Sequence, residues 1–256
     1  MGILNNKDIL ITGVLTDSSL AFHIAKVAQE QGARIYLTGF GRGLSITKRV
    51  AKKLGDPPVY ELDATDEQTA ANLSSTLQKE VGKLDGVIHA IAYAPPECLA
   101  APMLETPWQS VSKAIEVSAF SLKTLTKYFL PLLEKGKNPS VIALDFDATK
   151  AWPAYNWMGV AKAALESLNR YLARELGPKK IRFNLIASGP VKTVAAKSIP
   201  GFELFEDQWA TRAPLGWNPQ DATPVANVAA CVLSDFFEMV TGQIIYVDGG
   251  FSSQGA

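Results

Sequence analysis

The sequence predicts an α/β protein of one domain, a doubly wound parallel sheet of about seven strands with helices on both faces. Three observations carry this. Short continuous apolar runs alternate with longer segments whose apolar residues recur at helical spacing, the pattern of a parallel sheet buried on both sides. Of 256 residues, 47% are hydrophobic, enough for a sizeable core within one unit. No repeat, low-complexity linker or shift in composition divides residues 1–256.

The elements follow in order. A strand at 9–12 precedes a helix over 19–31, a strand at 34–38 precedes a helix at 45–54, and a strand at 59–62 precedes a helix at 67–80. After a strand at 86–89, a long helix at 107–133 leads to a strand at 140–144. A helix at 153–176 leads to a strand at 182–186, and a helix at 222–235 leads to the last strand, 244–247. The irregular stretches 93–106 and 193–215 exceed ordinary connections, and such loops are more often functional. Ile199, Phe202, Leu204, Phe205 and Trp209 make the second too apolar for a free loop; it suits a helix or a pair of turns over an apolar ligand. In sheets of this class ligands bind at the carboxyl ends of the strands, near the point where strand order reverses.

Charge narrows the partners. Basic and acidic residues number 25 each, with no run of either sign, so neither nucleic acid nor a membrane is expected as partner. Cys98, Cys231, His23 and His89 stand at no metal or redox spacing, which predicts no metal and a reducing compartment. With no targeting pattern and no apolar run of membrane-spanning length, the expected location is the cytoplasm.

Candidate binding residues stand at strand ends. The turn Thr12-Gly13-Val14-Leu15-Thr16-Asp17-Ser18-Ser19 sets backbone N–H groups and a helix start where a pyrophosphate is held, although Asp17, Ser18 or Ser19 can serve simply as the cap. Phe40, after the second strand, packs on an adenine or joins the core; Arg42 takes a 2′-phosphate or is solvated. Asp63 accepts an adenine amino hydrogen or serves its own turn, with Thr65 or Asp66 as the helix cap. His89 reads as a satisfied core histidine, and Asp145 and Asp147 as solvated or capping residues.

Tyr155 and Lys162 stand out. They lie in a stretch that reads as a helix opening with Pro153 in its first turn. At roughly 100° per residue they share a face, two turns apart. The ammonium then favours the phenolate and makes the tyrosine a better proton donor near neutral pH. A packed tyrosine beside a solvated lysine is the competing account.

Taken together, Gly13-x5-Ser19-x-Ala21, the Asp63 turn, His89-x-Ile91-Ala92, Tyr155-x6-Lys162, Gly189-Pro190-Val191-Lys192-Thr193 and Val247-Asp248-Gly249-Gly250-Phe251 resemble the NADH-dependent enoyl-acyl carrier protein reductases. These are divergent short-chain dehydrogenases/reductases with a Rossmann-type sheet. Where ordinary members carry lysine four residues after the tyrosine, this sequence has Gly159. Phe40, the Ala143 to Asp147 stretch, Tyr155-Asn156-Trp157-Met158 and the Arg212 to Asn218 stretch are most similar to the mycobacterial type.

The resemblance implies reduction of the trans-2 double bond of a fatty enoyl thioester, carried on acyl carrier protein or coenzyme A, in type II fatty-acid synthesis. It implies that Tyr155 bonds the thioester oxygen where enolate charge develops, that Lys162 holds the nicotinamide ribose, that Phe146 walls the nicotinamide and that Met158 lines the acyl path. Gly13, Ser19, Leu20, Phe40, Asp63, Ala64, Ile91, Ala92, Lys162, Val191 and Thr193 match its cofactor positions, with Leu20 and Ile91 equally readable as core. NADH is the expected cofactor and NADPH the alternative, because Gly41 stands where the resemblance leads one to expect an acidic residue. A homotetramer paired through 107–133 and 153–176 is implied, with 193–215 covering the fatty chain. Lys192 and Lys197 meet the acidic carrier protein or are solvated. Two other readings remain: a ketoreductase, which needs a hydroxyl where Ala143-Leu144-Asp145 stand, and a non-catalytic dinucleotide-binding regulator, which tends to lose the tyrosine or lysine kept here.

Overall fold

Apolar strands between helix caps and glycines assemble into one parallel sheet, ordered β3-β2-β1-β4-β5-β6-β7. The computed structural model describes residues 2–255; the two end residues of the expected 1–256 unit lie outside the described residues. The strands are β1 (Asp8–Ile11), β2 (Arg34–Gly39), β3 (Val59–Glu61), β4 (Gly86–His89), β5 (Ser140–Asp145), β6 (Arg182–Ser188) and β7 (Ile244–Val247). Between them lie α1 (Leu20–Glu30), α2 (Arg42–Ala51), α3 (Glu67–Glu80), α4 (Trp108–Ile115), α5 (Ser121–Leu133), α6 (Asn156–Leu176), α7 (Phe202–Arg212) and α8 (Thr223–Leu233).

Successive strand residues feed opposite layers, as the two-residue repeat of a strand requires. Ile9, Ile11, Ile88, Ile142 and Ile186 pack with α1 and α8 on one face. Leu10, Val87, Val141, Phe183 and Leu185 pack with α3, α5 and α6 on the other. Each such side chain contributes about 1.5–3 kcal/mol on full burial. Order reverses between β1 and β4, where Ile9 pairs with Gly86 and Ile11 with Ile88. The crevice beyond these two strands is the binding edge that topology predicts. Only glycine allows the turn there: Gly13 has φ 80°, and a Cβ on it would overlap the Ala90 carbonyl oxygen.

Two departures from the sequence reading bear on the site. The helix expected at 107–133 is broken into α4 and α5 by a π turn, Glu116–Phe120. The Ser118 hydroxyl inside that turn donates to the Tyr93 carbonyl at 2.9 Å and accepts from its N–H at 3.0 Å, fastening the helix to the loop after β4. The helix expected from 153 begins instead at Asn156, so Pro153 lies in the preceding turn. Ala154 and Asn156 have φ 58° and 34°, left-handed values that cost non-glycine residues about 1–3 kcal/mol each. Anchors hold them: Asn156 Nδ2 donates to the Ala101 carbonyl at 2.9 Å, and Trp157 Nε1 to that of Met103 at 3.1 Å. The stretch 193–215 holds a short helical turn, Ala196–Ser198, and α7. Among the described residues no helix is long and apolar enough to cross a membrane.

Candidate active site

All the cofactor candidates stand on the carboxyl edge of the sheet or on α6 beside it. Ser19 is the cap of α1, its hydroxyl accepting from the Phe22 N–H at 3.2 Å and donating to the Thr16 carbonyl at 2.8 Å. Phe40 is 55% exposed, which removes its core reading, and Arg42 opens α2 in solvent. Asp63 Oδ1 accepts from the N–H and hydroxyl of Thr65 at 2.9 and 2.8 Å, and its Oδ2 has no protein donor among the described residues. Asp66 caps α3. Ala64 and Val191 are buried and Ala92 is exposed. Leu20 and Ile91 are half-buried, each against one core layer, so the core reading of both has contacts behind it. The Thr193 hydroxyl accepts from the Ala196 N–H at 3.0 Å. Around the crevice thus lie a helix start, a carboxylate with one open oxygen, an exposed aromatic face and the ammonium of Lys162 on α6. This donor and acceptor set fits a nicotinamide dinucleotide.

Tyr155 and Lys162 are both buried where α6 begins. Lys162 Nζ donates to the Leu144 carbonyl at 2.8 Å, using one of the three ammonium hydrogens. The Tyr155 ring packs edge-on against Phe146 at 5.2 Å, and its hydroxyl has no hydrogen-bond partner among the described residues. The expected acidification of the phenol does not occur. Burial first and the nearby Asp145 second push its pKa well above the ordinary value. Tyr155 is therefore a neutral hydrogen-bond donor throughout the neutral range. Burial lowers the Lys162 pKa, and Asp145 opposes that shift.

Asp145 corrects the sequence reading most. It is neither solvated nor a cap: it is 5% exposed, and neither oxygen meets a donor among the described residues. Burial, opposed by Lys162 and more weakly by the Phe146 N–H and reinforced by Glu166 and Asp147, pushes its pKa up to about 7. Asp147 does cap its turn, Oδ1 accepting from the N–H and hydroxyl of Thr149 at 3.0 and 2.6 Å. His89 is a core histidine, as read, but only half satisfied. Its Nε2 lies 2.7 Å from the Ser121 hydroxyl, whose own hydrogen goes to the Val117 carbonyl, so Nε2 carries the proton and Nδ1 stays unpartnered. Burial and Lys162 pull its pKa down to about 3, keeping it neutral.

Phe146 belongs to an aromatic cluster that sequence reasoning missed. Its ring lies 5.1 Å from Trp152, 5.7 Å from Phe205 and 6.1 Å from Trp209, while Trp209 stacks on Phe251 at 3.7 Å. The cavity left among them is about 10 Å³, room for about one water. Met158 packs with Tyr155, Leu99 and Ala161. Lys192 is not simply solvated: its Nζ lies 3.0 Å from Glu206 of α7, tying that helix to the loop after β6. Five aromatic rings converge from residues 146 to 251, and no local motif announces that. Only the high apolar content of the segment hinted at it.

Comparison with known proteins agrees with this geometry. A family model described as enoyl-(acyl carrier protein) reductase matches residues 13–252. The enoyl-[acyl-carrier-protein] reductase [NADH] of Mycolicibacterium smegmatis is 46% identical over 99% of this chain and 98% of its own. That of Mycobacterium avium is also 46% identical, over 99% and 98%. The corresponding enzyme of Aquifex aeolicus is 38% identical over 100% of this chain and 94% of its own. The chain belongs to the enoyl-(acyl carrier protein) reductase family.

Proposed function

We propose that this chain reduces the trans-2 double bond of fatty enoyl thioesters carried on acyl carrier protein, with NADH as reductant. The observation that carries the reading is a buried, neutral Tyr155 with a free hydroxyl, packed against Phe146 and seven residues before an equally buried Lys162. NADH, when bound, supplies the hydride that the β-carbon takes up. The chain's own residues must then stabilise the negative charge that develops on the thioester oxygen. Tyr155 donates its hydrogen bond there, and its raised pKa keeps that hydrogen in place at neutral pH. Lys162, with two ammonium hydrogens left, holds the nicotinamide ribose and adds positive potential. Phe146 sets one wall of the reacting space, and Met158 borders the acyl path. Where a ketoreductase would place a hydroxyl, Ala143 and Leu144 carry none and Asp145 is buried.

On this reading Gly13, Ser19, Leu20, Phe40, Asp63, Ala64, Ile91, Ala92, Val191 and Thr193 line the dinucleotide. The stretch 193–215 forms the cover of the acyl chain within a single catalytic domain. The aromatic cluster is closely packed, and a fatty chain enters it as α7 shifts. Trp108, Phe120, Val160 and Tyr171 expose apolar surface on α4, the π turn and α6, and a homotetramer would cover it. Light scattering on the purified chain tests that assembly. The activity itself is tested by loss of reduced-nicotinamide absorbance with a medium-chain trans-2-enoyl thioester, NADH and NADPH in parallel, against a 3-ketoacyl control. Oxidation of NADH with the enoyl substrate alone is expected; turnover of the ketone alone would overturn the reading.

A further inference from the structure

Asp145 ends β5, beside Ala187 of β6. It follows Leu144, whose carbonyl receives Lys162, and precedes Phe146, whose ring packs on Tyr155. A carboxyl so placed, with neither oxygen in a hydrogen bond among the described residues and with the Phe146 N–H nearby as a weak counterweight, is costly to ionise. The groups facing it are few. From α6 and its cap come Lys162, Glu166 and Tyr155; from the end of β5 the Phe146 N–H; from β7 Tyr246, which donates to Asp147 at 3.3 Å. From the following loop come Asp147 and Lys150, paired to each other at 3.6 Å, while β6 offers only Ala187 and Ser188. Lys162 is the cation that acts on Asp145, yet its hydrogen bond goes to the Leu144 carbonyl and not to the carboxyl.

We propose that Asp145 is a positioning residue whose protonation state gates turnover: neutral, it leaves the Lys162 charge free to act on Tyr155 and the enolate oxygen, and ionised, it cancels that charge. The inference rests on the roles given to Tyr155 and Lys162 above. The reduction builds negative charge in a pocket already poor in water, and a second negative charge there raises the barrier. Asp145 itself gains and loses no proton during the reaction. Turnover is therefore full below the ionisation of Asp145 and falls above it. Burial places that ionisation near neutrality.

The test is kcat at saturating NADH and enoyl thioester across about pH 5.5 to 9, for the unaltered chain and for Asp145→Asn, an uncharged isostere. The unaltered chain is expected to lose roughly tenfold or more on the alkaline side, and the Asn variant less than about twofold. Asp145→Glu, which titrates again, should restore an alkaline fall. An Asn variant with the same alkaline fall, or one impaired equally at every pH, overturns the proposal. Infrared difference spectra of the unaltered chain read the same group without turnover. A carboxylic acid carbonyl band present at acid pH, lost on the alkaline side and missing in the Asn variant supports it; absence of that band in the unaltered chain overturns it. A chain that showed the band but reduced no enoyl thioester would instead overturn the proposed function.

Discussion

At the amino ends of the strands Asp8 and Asp85 are fully buried and fully partnered; at the carboxyl ends Asp145 is nearly as buried and has no partner among the described residues. Asp8 accepts from Arg34 Nε and Nη2, both at 2.6 Å, and from the Tyr36 hydroxyl at 3.0 Å. Asp85 accepts from the backbone N–H groups of Asp8 and Lys137 at 2.9 and 2.6 Å and pairs with Lys83. The opposite edge leaves His89 Nδ1, Glu206 Oε1 and Trp209 Nε1 without a hydrogen-bond partner among the described residues as well. Buried polar atoms are nearly always bonded, so a cluster of exceptions on one edge marks where structure has been traded for chemistry. The amino edge fastens the sheet, and the carboxyl edge keeps bonding capacity in hand.

The sharpest way to break this contrast is at the reacting end. Tyr155→Phe removes one hydroxyl from a packed ring and should cut kcat by roughly 10²–10³-fold with NADH affinity retained, read by nicotinamide absorbance and a binding titration. At the fastening end, Asp85→Ala strands two N–H groups and Lys83, and should cost about 3–5 kcal/mol of unfolding free energy in a urea titration. Asp145→Asn should do the reverse. Its carboxyl is raised to about 7 in the folded chain, so stability falls as pH rises from about 4, the ordinary unfolded value, through 7. At pH about 8 the Asn variant should be more stable by about 2–4 kcal/mol, with no difference at pH about 4. Asp8 titrates the other way. Burial would raise its pKa, but Arg34, Tyr36 and Lys83 hold it below the ordinary range, so its contribution is present above about pH 4 and lost on acidification. Smallest is Lys192→Met, which frees α7 from the loop after β6 at a cost of about 1–2 kcal/mol, because the largely buried Glu206 loses its cation.

What the sequence made legible follows the same division. Strands β4 and β7 fall at the expected residues, and the other five within two, because apolar runs bounded by polar residues are local signals. The Asp63 turn and the seven-residue spacing of Tyr155 and Lys162 were each legible because each is a local pattern. The start of α6 was not: the left-handed Ala154 and Asn156 are held by the Ala101 and Met103 carbonyls, more than fifty residues away. Nor was the π turn, since the apolar pattern runs unbroken through it and only the Tyr93 loop explains it. Asp145 was misread because Asp-x-Asp after an apolar run looks like a loop. Its burial is imposed by β6 and α6, both later in the chain.

The packing of Trp209 on Phe251 has a practical consequence. The indole lies within 10° of parallel to the phenyl ring, and the Trp152 ring is 5.4 Å away, with Phe146 against both indoles. On the acyl path proposed above, a fatty chain entering between Phe146 and α7 would part these rings, and two of the five tryptophans would change surroundings together. On that proposal the molecule carries an optical gauge of its own, in which intrinsic emission would report the arrival of an acyl chain without a label and separately from the chemistry that follows.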